Sequence, residues 1–566
     1  MESKYANRCL GLTKRLCKIP SVVGTRGEAT LAEFLFHYLS TRPEIKNLGL
    51  RVEMVEIPAE NHRKALLVYM PGKSETRIGD AVPINEDGTI PAPFITEHPA
   101  VVLMGHFDTV GIEEYGPNAL IASDSARLKA AFQADSLLPE DVRKDLESGE
   151  YEFGRGWLDM KSGVAAIVEV FIELAKEGGL EGGVFLALCP DEEGNSTGIR
   201  ALAPRIAAIL KQRKLKLRCV INADYTSPLE AGDKRRHIYT GTIGKHLMLV
   251  SLFGRESHAS QVWEGINAAA MAGWLGSNLE SDPQLIDQLA QEVTSPPSLL
   301  YLHDNHDFYT TMTPAVAHFY LNQFTVKSTP DQIITKYVAR IRALSRHWVE
   351  RRVKRFERFR DGGGRGKLLD APVPVLDLTG LINQAKRVSQ LPDFETRYDE
   401  IREQFAANEP DERKASMRIV EWLVQTAKAA PCIVVSFTLP FYPANYMLGD
   451  QRDAVVAAAE KAFAACAPGQ ELEIRRFYPY ISDMSFFSFP EVPLRSPHWR
   501  FLLDNTPYPV DTDEWTLLGN INAPVVNIGP HGAGAHTVYE RVEREWSFGI
   551  LPEVIENMTR ILLATP

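Results

Sequence analysis

Two adjacent glutamates, Glu192 and Glu193, stand in Cys189-Pro190-Asp191-Glu192-Glu193-Gly194, directly after the apolar run Gly183-Val184-Phe185-Leu186-Ala187-Leu188. The run reads as a buried strand that ends at the acids. Open α/β sheets build their sites where strands give way to loops. Other candidate donors occur at similar places. His106 and Asp108 follow Val101-Val102-Leu103-Met104, and Asp224 follows Arg218-Cys219-Val220-Ile221-Asn222-Ala223. Asp159 precedes a predicted helix, and His536 lies beyond Ala523-Pro524-Val525-Val526-Asn527-Ile528. Imidazoles and carboxylates without thiolates suit a pair of borderline divalent ions such as zinc.

A co-catalytic metal pair needs one group that bridges both ions, capping ligands on each, and a base beside the water they activate. Asp159 is the bridging candidate. His106 and Asp224 would cap one ion, and Glu193 and His536 the other. Glu192 is then the base, and Asp108 orients the His106 ring from behind. Singly, each residue is weak evidence, because loop histidines are mostly surface groups and loop acids mostly helix caps. Asp191 itself reads as such a cap. The weight lies in the set and its order.

These residues need an α/β scaffold, and the first ~230 residues alternate helix and strand signals accordingly. Leu31–Leu39, Ser162–Lys176 and Thr197–Arg213 read as helices, and Ala65–Met70 as a strand stopped by Pro71-Gly72. Residues 73–98 are polar and proline-bearing, a surface excursion. The texture changes near Lys234. A strand over Lys245–Phe253, a helix over Gly265–Leu279 and a strand over Ala315–Leu321 follow. Ser328-Thr329-Pro330-Asp331 starts a long arginine-rich helix that ends by Gly362-Gly363-Gly364. Charged helical sequence then runs to about Lys428, before a strand over Cys432–Leu439. This is a small α+β domain with a helical insertion before its last strand. His536 lies so far downstream that the first domain must be discontinuous. The expected division is 1–232 and 445–566 for the catalytic domain and 233–444 for the inserted one.

Composition agrees. The 566 residues exceed one ordinary core. The 45% hydrophobic and 24% charged content is that of a globular protein. A net charge of −11 argues against nucleic acid as a partner. Six scattered cysteines without C-x-x-C spacing suit free thiols and a cytoplasmic location. No apolar run reaches the ~18 residues of a membrane span, so no membrane role is expected.

The motifs carry a resemblance. Gly105-His106-Phe107-Asp108-Thr109-Val110, Gly156-Trp157-Leu158-Asp159-Met160-Lys161-Ser162-Gly163, Asp191-Glu192-Glu193-Gly194 and Gly534-Ala535-His536-Thr537-Val538-Tyr539-Glu540 resemble the signatures of the co-catalytic zinc peptidases. That family includes aminoacylase, carboxypeptidase G and succinyl-diaminopimelate desuccinylase. Ile19-Pro20-Ser21 with Gly27-Glu28, and Gly254-Arg255-Glu256-Ser257-His258-Ala259-Ser260 with Gly265-Ile266-Asn267, are similar to it as well. The resemblance implies an α/β catalytic domain, a mixed sheet flanked by helices, with an inserted βαββαβ lid. It implies the ligand and base roles above, two divalent ions (zinc, with manganese or cobalt as alternatives), and a cis peptide between Asp159 and Met160. It further implies that His258 binds the substrate carbonyl oxygen and that a homodimer forms through the lid. The expected substrate is an N-acyl amino acid or a short peptide. An aminopeptidase or dipeptidase is the competing activity, and a non-catalytic metal-binding scaffold the competing class. The chain's length, Asn222-Ala223-Asp224-Tyr225-Thr226 and Ser482-Asp483-Met484-Ser485-Phe486 resemble long relatives associated with arginine utilisation, which implies amino-acid catabolism.

Two departures stand out. Asp108 and Asp159 are 51 positions apart, longer than usual for the family, so extra chain is expected beside the site. The lid strand Phe319-Tyr320-Leu321-Asn322-Gln323-Phe324 lacks the arginine that grips a substrate carboxylate in many relatives. Asn322 or Asn267 could supply neutral hydrogen bonds instead.

Overall fold

The computed structural model describes residues 3–57, 60–73, 75, 97–389, 391, 393–487, 496–519 and 521–564. Most of the expected excursion at 73–98 lies outside them. The chain forms two compact units, one of Met1–Thr242, Asn445–Pro490 and Leu517–Pro566, the other of Ile243–Ala444 and Glu491–Thr516. The first boundary, expected after residue 232, thus falls after 242, and Glu491–Thr516 joins the inserted unit instead of the catalytic one.

The first unit is built on an eight-stranded mixed sheet. Its order is Val52–Ile57, Glu60–Met70, Gly183–Cys189, His98–His106, Leu215–Asn222, Val525–Asn527, Arg236–Tyr239 and Leu472–Arg475. The three strands Gly183–Cys189, His98–His106 and Leu215–Asn222 are mutually parallel, and Val525–Asn527 continues the parallel set. Parallel strands covered on both faces must be apolar throughout. Gly183–Cys189 is accordingly buried at every position. The helix Ser162–Glu177 is buried from Ser162 to Ala175. Such a helix, apolar on nearly every side, belongs in a large core rather than at a surface. The helices Ala6–Cys17 and Leu551–Ala564 pack into the same core, through Leu12, Leu16, Val554 and Met558.

The inserted unit has a five-stranded sheet in the order Ser298–Asp304, Val316–Thr325, Gly244–Phe253, Cys432–Tyr442 and Val375–Asp377. Helices Ala268–Leu279 and Pro330–Asp361 complete the βαββαβ arrangement. Leu378–Ser389, Phe394–Asn408 and Glu412–Ala427 form the helical insertion, with their own apolar cluster. The helix expected from Gly265 starts at Ala268, because the Asn267 side chain caps it by accepting from Ala270 N at 3.0 Å. Among the described residues no helix is long and apolar enough to cross a membrane, and all six cysteines are free.

One buried group in this unit makes a pH prediction. His246 is buried beside Phe437 and Phe441, with ring centroids at 5.2 and 6.5 Å. Burial pushes it down to about 4. The unfolded chain binds a proton there near pH 6.5 that the folded chain refuses. The stability it contributes is therefore present above pH 6.5 and lost as pH falls to about 4, about 3 kcal/mol in all. His246→Leu is expected to flatten that part of the acid loss in denaturant unfolding measured from pH 7 to 4. Parallel pH profiles for the variant and wild type would overturn the assignment.

Candidate metal centre

His106, Glu192, Glu193 and Asp224 are delivered by strand ends of the first unit. His106 is the last residue of its strand and pairs in register with Cys189, while Met104 pairs with Asn222. The loops carrying Glu192, Glu193 and Asp224 therefore leave the sheet side by side with His106. Asn527 clamps the Asp224 backbone through its amide, accepting from Asp224 N at 3.0 Å and donating to Asp224 O at 2.9 Å. Two glycines make this crowding possible. A Cβ on Gly163 would lie 2.0 Å from Ala223 O, and one on Gly529 would lie 1.8 Å from Asp224 O.

Asp159 sits at the entry to the helix Ser162–Glu177, and its peptide bond to Met160 is cis, as the resemblance implied. Its two oxygens face different imidazoles. Oδ1 lies 3.1 Å from His106 Nε2, and Oδ2 lies 2.9 Å from His536 Nε2. His536 comes from the hairpin between Gly532–Ala533 and Arg541–Glu543, with φ of 63°. Its Nε2 is also 3.0 Å from Glu193 Oε1. Asp224 and Glu192 stand 4.0 and 3.9 Å from His106 Nε2. Among the described residues three donor groups could hold an ion, each with its ligand atoms within 4.8 Å of one another: His106 with Asp159 and Asp224, Asp159 with Glu193 and His536, and His106 with Glu192 and Glu193.

The electrostatics fit divalent cations. Burial pushes Asp224 up to about 8, and the adjacent Asp159 charge adds to this. Burial likewise raises Glu192 far above the usual carboxylate range, assisted by Glu193, Asp483 and Asp224 against His106. Asp159 is instead held well below its usual range, because hydrogen bonds to both imidazoles outweigh its burial. Burial opposes charge on His536 too, yet Asp159 and Glu193 push it up to about 11. The carboxylates thus demand positive charge where the imidazole protons sit, and two dications would meet that demand while leaving the rings neutral.

Asp108 is fully buried, and its Oδ1 lies 3.5 Å from His106 Nδ1, within ion-pair reach but too far for a hydrogen bond. It has a second job that sequence reasoning missed. Its carboxylate accepts from Glu192 N at 3.2 Å and Glu193 N at 3.1 Å, so one side chain touches the ring and fixes the acidic loop. Glu28 works on the same loop. It accepts from Asp191 N at 3.0 Å and pairs with Arg63 at 2.8 Å. Asp191 takes φ of 66°, pairs with Arg63 and accepts from Thr197 N, which makes it a structural group. Asp483, in a segment singled out only by resemblance, is buried, and its charge acts on Glu192.

His258 lies in the inserted unit. It is exposed and stands at the start of the turn Ala259–Glu264. Ser260 N donates to its Nδ1 at 3.2 Å.

The profile of the peptidase family M20/M25/M40 matches residues 102–498. The chain belongs to this family. As an M20 protein it is a metal-dependent hydrolase. Two curated relatives span its length. Protein RocB of Bacillus subtilis (strain 168) is 28% identical over 576 residues, covering 99% of this chain and 95% of RocB. The uncharacterized protein YqjN of the same strain is 28% identical over 569 residues, covering 100% and 98%. Aminopeptidase PepT from Bacillus cereus ATCC 10987 has a crystal structure similar to this M20 chain, with a TM-score of 0.50, 12% identity and 98% of each chain covered. That likeness shows the shared fold.

Proposed function

We propose that this protein hydrolyses a small amide, an N-acyl amino acid or a short peptide, with two divalent ions, zinc foremost, in amino-acid catabolism and within it arginine utilisation. The observation that carries the reading is Asp159, whose two carboxylate oxygens address His106 and His536 separately. In this reading His106 and Asp224 would hold one ion and Glu193 and His536 the other, with Asp159 available to both. Bound there, the ions supply Lewis acidity for the amide carbonyl and acidify a water. Glu192 accepts the proton of the attacking water and returns it to the departing amine. Asp108 keeps the Glu192 backbone and the His106 ring in place. His258 gives a hydrogen bond to the substrate carbonyl oxygen as negative charge develops on it.

Asn267 is committed to its helix cap, whereas the Asn322 carbonyl oxygen is buried without a hydrogen-bond partner among the described residues. A substrate carboxylate needs a donor, which in either residue is the amide NH2, so both stay candidates for a neutral contact. A homodimer through the inserted unit is supported by its edge strand Ser298–Asp304, which among the described residues pairs on one side only and exposes Leu300 and Leu302.

The test is a panel of N-acyl amino acids and dipeptides, with the protein stripped by chelator and reloaded with zinc, manganese or cobalt. Released amine is expected from N-acyl amino acids with reloaded protein and not with stripped protein. Cleavage of free-amine dipeptides alone would replace deacylation by the peptidase activity. Absence of turnover over the whole panel would favour a scaffold.

A further inference from the structure

The four residues after His536 end at a carboxylate that the roles above leave unused. Glu540 is fully buried. Its Oε1 accepts from Leu158 N at 3.1 Å and Asp159 N at 3.3 Å. Its Oε2 accepts from Arg155 NH1 at 2.5 Å. One side chain from the His536 hairpin is thereby bonded to the backbone of Asp159. The groups are far apart in sequence, and their separation in space decides whether Asp159 and His536 can share an ion.

Arg155 is 2% exposed and is itself held by the additional chain between Asp108 and Asp159. Its Nε donates to Gly111 O at 3.1 Å, its N donates to Ala122 O at 2.8 Å, and it pairs with Glu114. That stretch has a small core of its own around Leu128, Phe132 and Val142. The hairpin rests on it. Tyr539 lies 5.8 Å from Phe132 between ring centroids, and Arg541 pairs with Asp145 at 2.6 Å and Asp141 at 3.0 Å. A buried carboxylate that holds only backbone N–H groups and one arginine has no solvent to relax into, so its geometry is rigid.

We propose that Glu540 is a positioning residue for the metal centre, setting the spacing of Asp159 and His536, and that the 111–150 stretch is the buttress that presents Arg155 to it. The inference rests on the metal-centre reading above. Groups that orient ligands from behind typically carry about 10–100-fold in metal affinity.

The experiment measures zinc affinity by competition with a chromophoric chelator, zinc stoichiometry, thermal midpoints with and without zinc, and kcat and KM separately. The proteins are the full-length wild type, Glu540→Gln, Arg155→Met and Arg155→Lys. Glutamine keeps the shape but brings an amide N–H against donors. Glu540→Gln and Arg155→Met are expected to weaken zinc binding about 10–100-fold and to lower kcat at saturating zinc with little change in KM. Arg155→Lys keeps the charge and is expected to recover part of the affinity. A merely structural role would lower the zinc-free thermal midpoint and leave zinc affinity within about twofold of wild type, and that result overturns the proposal. If Glu540→Gln does not fold, the Arg155 pair decides alone: equal zinc affinities for Met, Lys and wild type refute it. Wild type that binds no zinc, manganese or cobalt would instead refute the metal-centre reading itself.

Discussion

Glu192→Gln is expected to abolish turnover while the metal content stays that of wild type. Glutamine is nearly isosteric and cannot accept the proton of an attacking water. Losing a positioned general base costs typically ~10²–10⁴ in rate. The backbone N–H of residue 192 keeps its bond to Asp108, so the acidic loop should hold its course. In the proposed arrangement Glu192 is spared as a ligand, because Asp159, Glu193, His106, Asp224 and His536 would supply both ion sites without it. Its carboxylate nevertheless stands within a candidate donor group, 3.9 Å from His106 Nε2. The measurement is therefore twofold: steady-state rate and metal per chain by elemental analysis. Loss of one ion would make Glu192 a ligand. A rate within about tenfold of wild type, against the ~10²–10⁴ expected for a base, would remove its role as base.

His258→Ala is expected to lower kcat by ~10²–10³, the usual loss for a donor aimed at developing oxyanion charge, with metal content unchanged. The local geometry supports a donor. Ser260 N–H points at Nδ1, and a ring nitrogen that accepts a hydrogen bond carries no proton. In the neutral ring the proton then sits on Nε2, the nitrogen left to meet a ligand. The turn-capping role and the catalytic role are therefore compatible, since the first fixes the tautomer required by the second. Ser260→Ala, which removes the hydroxyl 2.7 Å from Nδ1 and keeps the N–H, serves as a milder control. Activity, metal content and mass in solution are measured together. An unchanged kcat in His258→Ala would eliminate the contact to substrate. A strictly monomeric and fully active wild type would eliminate donation to a partner subunit and leave donation within one chain.

The donors were legible because their neighbours obey simple rules. An unbroken apolar run that stops at His106, or at Asp191-Glu192-Glu193, announces a buried parallel strand and its loop. The helix Thr197–Arg213 was placed to the residue for a similar reason, as its apolar face recurs at helical spacing. Glu540, Arg155, Arg63 and the clamp made by Asp108 were not legible. Each is a buried polar group satisfied by a partner far away in sequence, and no local pattern encodes such a partner. The four-residue strands Arg236–Tyr239 and Leu472–Arg475 escaped for want of length: too few residues to show a period. The segment 491–516 escaped because its attachment to the inserted unit depends on tertiary contacts such as Phe437 N with Asn505 O at 2.9 Å.

The discontinuity of the first unit has a consequence for how the protein is made. His106, Asp159, Glu193 and Asp224 leave the ribosome early, while His536 follows Asp224 by roughly 300 residues. Until then the nascent chain exposes a cluster of acids with a single imidazole and no means of closing the second ion site. If the ions bind as proposed, the complete donor set would be available only after the whole inserted unit has been synthesised. An ion held by Glu193 and His536 would tie the hairpin of His536 to the first sheet across a loop whose closure entropy the chain alone would otherwise have to overcome. On that reading the metal would act as a clasp between distant segments of one folded unit.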